Sequence, residues 1–257
     1  MRGSPYRFTD FSMALSFLTV FPTPWFSASA MRPEDLAKSF AFYPLVGGIL
    51  GSCWFLAGWG LSSCFPPLLL AAVVTAFNVV LTRGLHMDGL ADMADGLGGG
   101  FTPEKRLEIM KDSHIGAFGT LALILTLALK MAAFHAILTN RLWPVLLITP
   151  AFSRFGMVLL ATSSPYARPS GGLGKPFLDA MRPVDLITAA TFLILVTIPI
   201  TLKFSLLFAG GTFLAVAAMK GFSGRFLGGV TGDVLGATNE IIEVLLLTAG
   251  ACFSVTS

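Results

Sequence analysis

Helix-length apolar runs recur along this chain with almost nothing charged inside them, and they constrain its fold more than any other feature. Ile115–Leu138 carries Lys130 as its one Lys, Arg, Asp or Glu, and Trp143–Thr162 carries Arg154. A run of about 20 apolar residues has the length that crosses the hydrocarbon of a bilayer as a helix. The sequence is 54% hydrophobic and only 12% charged, where a soluble domain has about a quarter charged. The expected fold is therefore an all-α integral membrane protein, one polytopic domain over residues 1–257.

Seven spans are expected: Phe42–Leu61, Leu68–Leu85, Ile115–Leu138, Trp143–Thr162, Val184–Leu202, a short Phe204–Met219, and Ala237–Phe253. Phe8–Phe26, broken by Pro22 and Pro24, reads as an interfacial N-terminal helix. Thr102-Pro103-Glu104 reads as cap, first-position proline and first-turn acid of a short amphipathic helix reaching about Lys111. Pro33-Glu34-Asp35 starts another helix. Gly47, Gly48, Gly51 and Gly58 give the first span a small-residue face for close packing. Cys53, Cys64 and Cys252 have no metal-type spacing and read as small hydrophobes. The opening residues lack the apolar core of a cleavable signal. No fixed-period repeat is evident.

Basic residues set the orientation. If the segment Leu85–His114 is cytoplasmic, thirteen Lys and Arg residues from Arg2 to Arg225 lie inside, and only Arg141 and Lys203 lie outside. This predicts a membrane protein with its N-terminus inside and its C-terminus outside. Three glycine-rich polar loops, Leu85–His114, Ser163–Arg182 and Lys220–Gly236, then share the cytoplasmic side. The net charge of +3 gives no argument for nucleic acid.

Within the first of these loops His86–Gly100 reads HMDGLADMADGLGGG. Asp88, Asp92 and Asp95 are spaced i, i+4, i+7, which on a helix puts them within a ~60° arc. Three acids on one face repel one another, and a hard divalent cation, Mg²⁺ with Mn²⁺ as a substitute, relieves that repulsion. The plainer reading is a solvated acidic face. Asp233 and Glu240, at i and i+7, form a second acidic face, with Asn239 and Glu243 flanking it. Gly228–Asp233 reads either as a phosphate cradle, which would involve Thr231, or as a tight turn before a helix. Arg154 is either a phosphate partner or half of an internal ion pair, and Lys130 either snorkels or pairs with an acid. Lys111 and Arg83 lie near the acidic stretch. His86, on the opposite helical face from Asp88, packs or hydrogen-bonds rather than sharing its metal.

HMDGLADMADGLGGG followed by RLEIMKDSHIGAFG resembles the cobalamin synthase family, the membrane-bound adenosylcobinamide-GDP ribazoletransferases. The likeness extends to FLTVFPTP, FYPLVGGILG, SPYARPSGGLG and GGVTGDVLGATNE, and so covers nearly the whole chain. It implies Mg²⁺-dependent transfer of adenosylcobinamide phosphate from its GDP-activated form to α-ribazole or α-ribazole 5′-phosphate, with release of GMP. On that footing Asp88, Asp92, Asp95 and Asp233 are candidate metal ligands, Asp112 the candidate catalytic group, and His86, Lys111, Arg154, Thr231, Asn239 and Glu240 candidate substrate contacts. The partners implied are the two substrates and the lipid bilayer, with a homo-oligomer allowed. A more distant likeness, to CDP-alcohol phosphotransferases, rests on Asp92-Met93-Ala94-Asp95-Gly96, without the Ala-Arg pair that should follow it. The competing readings are a cation transporter with a cytoplasmic carboxylate site and a noncatalytic membrane anchor.

Overall fold

A computed structural model describes residues 6–23, 32–168 and 174–253. Pro24 and Phe26 of the N-terminal segment, Pro169, Gly171 and Gly172 of the second loop, and Ser257, whose external side the charge pattern predicts, lie outside them. The described chain is helical, with one isolated parallel bridge between Tyr166 and Val230. Its helices are α1 (Phe8–Leu18), α2 (Pro33–Ser39), α3 (Tyr43–Gly60), α4 (Pro67–Leu81), α5 (Leu85–Gly99), α6 (Pro103–Ile109), α7 (Ala117–Thr139), α8 (Trp143–Ser163), α9 (Lys175–Asp179), α10 (Pro183–Thr197), α11 (Leu202–Leu227) and α12 (Gly232–Cys252).

Five stretches are long and apolar enough to cross a membrane: Pro33–Gly60, α7, α8, α11 and α12. A sixth is reached if α4 and α5 count together as one broken span. The expected seven are not established, for two reasons. The second expected span stops at Leu81, where the chain turns by 89° into α5 instead of running straight into the acidic stretch. The fifth becomes α10, whose 15 residues rise only about 22 Å at 1.5 Å each, short of a ~30 Å hydrocarbon core. The third glycine-rich loop is also shorter than expected, because α11 continues through Lys220 to Leu227.

Helix α8 is the axis of the bundle, with 83% of its apolar window buried, and α12 follows at 67%. Helices α7 and α11, at 28% each, turn most of their apolar surface outward, as lipid-facing helices must. The small-residue face of α3 is what lets it lie on α8. A Cβ on Gly47 would run into the carbonyl of Pro150 and Cα of Ala151, and one on Gly51 into the carbonyl of Leu147. Such close backbone approach substitutes dispersion contacts for the hydrophobic drive that lipid does not supply. Thr102 accepts from the Lys105 amide as the cap of α6, with Pro103 in its first turn, as the residue pattern predicts.

The turn between α4 and α5 is built from Arg83 (φ 54°) and Gly84 (φ 66°), both left-handed. That conformation is natural for glycine and costly for arginine. The Arg83 guanidinium compensates by donating to the carbonyls of Ser16 and Thr19, which ties α1 to the bend.

Candidate active site

Helix α5 lies across the N-terminal end of α12, and glycines set the contact. A Cβ on Gly89 would meet the backbone of Asp233, and a Cβ on Gly236 would meet the backbone of His86. The two acidic stretches, far apart in sequence, therefore occupy one place. The Asp92 carboxylate lies in the field of Asp88, Asp233 and Asp95, with Arg168 the cation that faces it.

The three acids of α5 share a face but not an environment. Asp88 is exposed, Asp92 half-buried and Asp95 buried. Asp95 accepts from the amides of Gly116 (2.7 Å) and Gly119 (2.8 Å), so it holds the start of α7, where free N–H groups favour an anion. A Cβ on either glycine would strike that carboxylate, which accounts for the glycines in IGAFG.

Asp233 accepts from the Thr231 hydroxyl at 3.2 Å and from Arg168 Nη2 at 3.2 Å. Thr231 caps α12 through the Val234 amide. Gly228 and Gly229 both turn their amides to the Ser223 carbonyl. The Val230 amide donates to Pro165, and its carbonyl accepts from Ala167. Those three amides are used on protein oxygens, and the turn they make pins the segment that carries Arg168 beside Asp233. The sequence reading missed Arg168 as a site residue. SPYARPSGGLG contains it, but only the bridge to Val230 places it.

Two open cavities flank the acids. One of about 670 Å³ is lined by Arg83, Asp88, Asp92 and Ser113. Another of about 600 Å³ is lined by Arg83, Tyr166, Arg168 and Asp233. Carboxylates and guanidiniums thus face common space, as a metal-bridged phosphate would require. Among the described residues no three His, Cys, Asp or Glu side chains are already gathered to hold a metal ion. In charge and hardness the carboxylate donors fit Mg²⁺.

Asp112 is exposed and is not among the residues lining the larger cavity, though its neighbour Ser113 is. It accepts from the His114 ring (2.6 Å) and amide (3.0 Å), and those bonds hold its carboxyl below the ordinary range. Lys111 is exposed at the end of α6.

Four of the other candidates lie in or against a buried charge cluster beneath the acids. Lys130 Nζ donates to Glu240 and Glu243, each at 2.5 Å, and Arg154 pairs with Glu243. Asn239 donates to both glutamates at 3.3 Å. Two cations against two anions make the cluster neutral, the condition under which charges persist in an apolar interior. Arg154 and Lys130 are thus paired inside the bundle. His86 is buried against this cluster, and neither ring nitrogen has a partner.

Comparisons with known proteins identify the family. The family model described as "Cobalamin-5-phosphate synthase" matches residues 10–251. An "Adenosylcobinamide-GDP ribazoletransferase" of Syntrophobacter fumaroxidans is 52% identical over 250 residues, 95% of this chain and 98% of the relative. Proteins of the same name from Desulfitobacterium hafniense and Chlorobium phaeovibrioides are 38% identical (91% of this chain, 93% of the relative) and 36% identical (94% and 96%). No solved structure matches. With a family match over almost its full length and a relative 52% identical, the chain belongs to the cobalamin-5-phosphate synthase family, as a transferase of cobalamin biosynthesis.

Proposed function

We propose that the chain transfers adenosylcobinamide phosphate from adenosylcobinamide-GDP to α-ribazole or α-ribazole 5′-phosphate, with Mg²⁺, to give adenosylcobalamin or its 5′-phosphate and GMP. The observation that carries this reading is the meeting of Asp88 and Asp92 with Asp233 beside cavities that Arg83 and Arg168 also line. The names of the relatives supply the donor and the ribazole acceptor. The acceptor hydroxyl forms a bond to the phosphorus that bears cobinamide, and the bond from that phosphorus to the oxygen of GMP breaks. Mg²⁺, when bound, supplies positive charge to the pyrophosphate during that displacement.

The residues of the chain divide the remaining work. Asp88, Asp92 and Asp233 would hold the metal, while Asp95 contributes charge and fixes α5 to α7. Arg168, paired with Asp233 and lining the same cavity, would bind the pyrophosphate, for which a guanidinium is suited. Arg83 and Lys111 add positive charge at the opening. Asp112 holds His114 at the rim, as a positioning residue. Thr231 orients Asp233, and Arg154, Asn239 and Glu240 support α12 from below. The closed pairing of Glu240 and Glu243 favours the enzyme over a cation transporter, since neither acid is free to take up an ion. The Lys and Arg distribution supports a site on the cytoplasmic face of the inner membrane.

The test is GMP release by the purified chain in detergent from adenosylcobinamide-GDP and α-ribazole. Release that depends on both the acceptor and Mg²⁺ is expected. Release without acceptor, or undiminished by chelation, would overturn the reading.

A further inference from the structure

Three cavities meet around the acids, and one side chain near the end of α1 borders all of them. Phe17 lines the cavity of about 670 Å³ with Asp88 and Asp92. It lines the cavity of about 600 Å³ with Arg168 and Asp233. It also lines a smaller, mostly apolar space of about 190 Å³, together with Met157. Among the described residues no other is common to the three.

The ring is fixed at this junction. The Arg83 guanidinium donates to the carbonyls of Ser16 and Thr19, on either side of Phe17. The Val20 amide donates to the Leu81 carbonyl at 2.8 Å. The end of α1 is thus tied to the bend that leads into the acidic helix, and Arg83 takes its costly left-handed conformation in the same contact. The plainer role for an exposed phenylalanine on a short N-terminal helix is an anchor in the lipid interface. Phe8, 61% exposed, suits that role. Phe17 comes nine residues later, which at about 100° per residue is half a turn round, so the two rings lie on opposite faces of α1. Phe17 is 44% exposed, and it opens on the cavities.

A pyrophosphate activated beside these carboxylates and guanidiniums has two possible attackers. The acceptor hydroxyl gives transfer, whereas water gives loss of GMP with nothing transferred. Keeping water out of a site prevents such side reactions. The two larger cavities are open, and the Phe17 ring at their meeting point offers water no hydrogen bond. A cavity of about 150 Å³ holds benzene, and a water takes about 30 Å³, so loss of the ring would admit several waters there.

We propose that Phe17 is a specificity-determining residue, whose ring divides the three cavities and keeps water from the phosphorus under attack. This rests on the functional reading above. Without the ring, a water oxygen forms the bond to the phosphorus that bears cobinamide, and the bond from that phosphorus to the oxygen of GMP breaks. The protons of the water pass to the two phosphates and to solvent. The products are adenosylcobinamide phosphate and GMP, with no acceptor consumed. Phe17 does no chemistry itself; it decides which hydroxyl arrives.

Two measurements on the full chain in detergent test this. The first counts GMP and transferred product in one reaction. The wild-type chain should release one GMP per product. Phe17→Ala should release roughly twofold or more GMP over product, as expected for lost exclusion of water. It should also release GMP with the acceptor left out, and label from oxygen-labelled water should appear in adenosylcobinamide phosphate. Phe17→Leu, which keeps apolar bulk, should stay near one to one. A purely structural defect would slow GMP and product together and leave their ratio unchanged.

The second measurement needs neither metal nor nucleotide. Met157 is 4% exposed and borders the smallest cavity, and methionine oxidation follows exposure. Hydrogen peroxide should convert Met157 to its sulfoxide severalfold faster in Phe17→Ala than in the wild type or in Phe17→Leu. Met219, which lines a separate groove on α11, should react at its wild-type rate. Phe17→Val should fall between the two variants, and it keeps the test decisive should Phe17→Ala unfold. A one-to-one ratio in the truncated variants, at whatever rate, or an unchanged Met157 rate would overturn the assignment. Acceptor-dependent turnover with that one-to-one ratio removes the assignment alone. Faster Met157 oxidation in a chain whose wild type never transfers removes the proposed function, and leaves the ring's role in closing the cavities.

Discussion

Gly89 lies directly against the backbone of Asp233: a Cβ added to Gly89 would stand 2.8 Å from the Asp233 carbonyl oxygen and 2.9 Å from its Cα. This contact joins the two acidic stretches, and it leaves no room for a side chain. Neither obstacle is a flexible side chain that could swing away.

Gly89→Ala should therefore push α5 off α12. Overpacking of this kind costs roughly 1–3 kcal/mol, and activity should fall further than stability because the acids separate. Thermal unfolding in detergent and turnover on the same sample check this. Full activity in Gly89→Ala would show that the contact does not set the site.

Asp88→Asn and Asp233→Asn should each lower turnover by about 10²-fold or more, the usual scale for lost electrostatic stabilisation of a transition state. The double variant should be hardly worse than either single one, because residues acting as one unit are lost once. Multiplicative losses would assign the two carboxylates to separate tasks.

Asp92→Asn and Asp95→Asn should differ in kind. The half-buried Asp92 faces its fellow acids, so its replacement should raise the Mg²⁺ concentration needed for half-maximal activity. Asp95 is already committed to the Gly116 and Gly119 amides, so its replacement should act mainly on stability, by about 1 kcal/mol as for a lost helix cap. Magnesium titrations of both variants, paired with melting curves, would expose an equal effect if there were one.

Lys130→Met should be among the most destabilising changes in the chain. It leaves Glu240 buried without its cation, at a cost of about 3–5 kcal/mol for a broken internal pair. Adding Glu240→Gln should restore much of the loss, since Glu243 keeps Arg154. Melting temperatures of the single and double variants decide it, and a double variant as unstable as Lys130→Met would contradict the pairing.

Much of this protein is legible from residue order because the determinants are local. The Thr102-Pro103 start acts within a turn or two, and the apolar runs follow from composition over about 20 residues. The i, i+4, i+7 spacing likewise puts Asp88, Asp92 and Asp95 on one helical face without reference to the rest of the fold. What each of those acids does is another matter. Asp95 became the anchor of α7, and Asp88 stayed open, because burial depends on which helix packs opposite. The 89° bend also escaped the pattern, since Arg83 adopts a left-handed conformation only because Ser16 and Thr19 are there to receive its side chain. Arg168 came to Asp233 through a backbone bridge that no spacing encodes. An unpaired charge is costly in an apolar interior, so residue order suggested partners for Lys130 and Arg154 but left snorkelling and a phosphate contact as alternatives. Only the packing of α7 and α8 against α12 decided that Glu240 and Glu243 would be those partners.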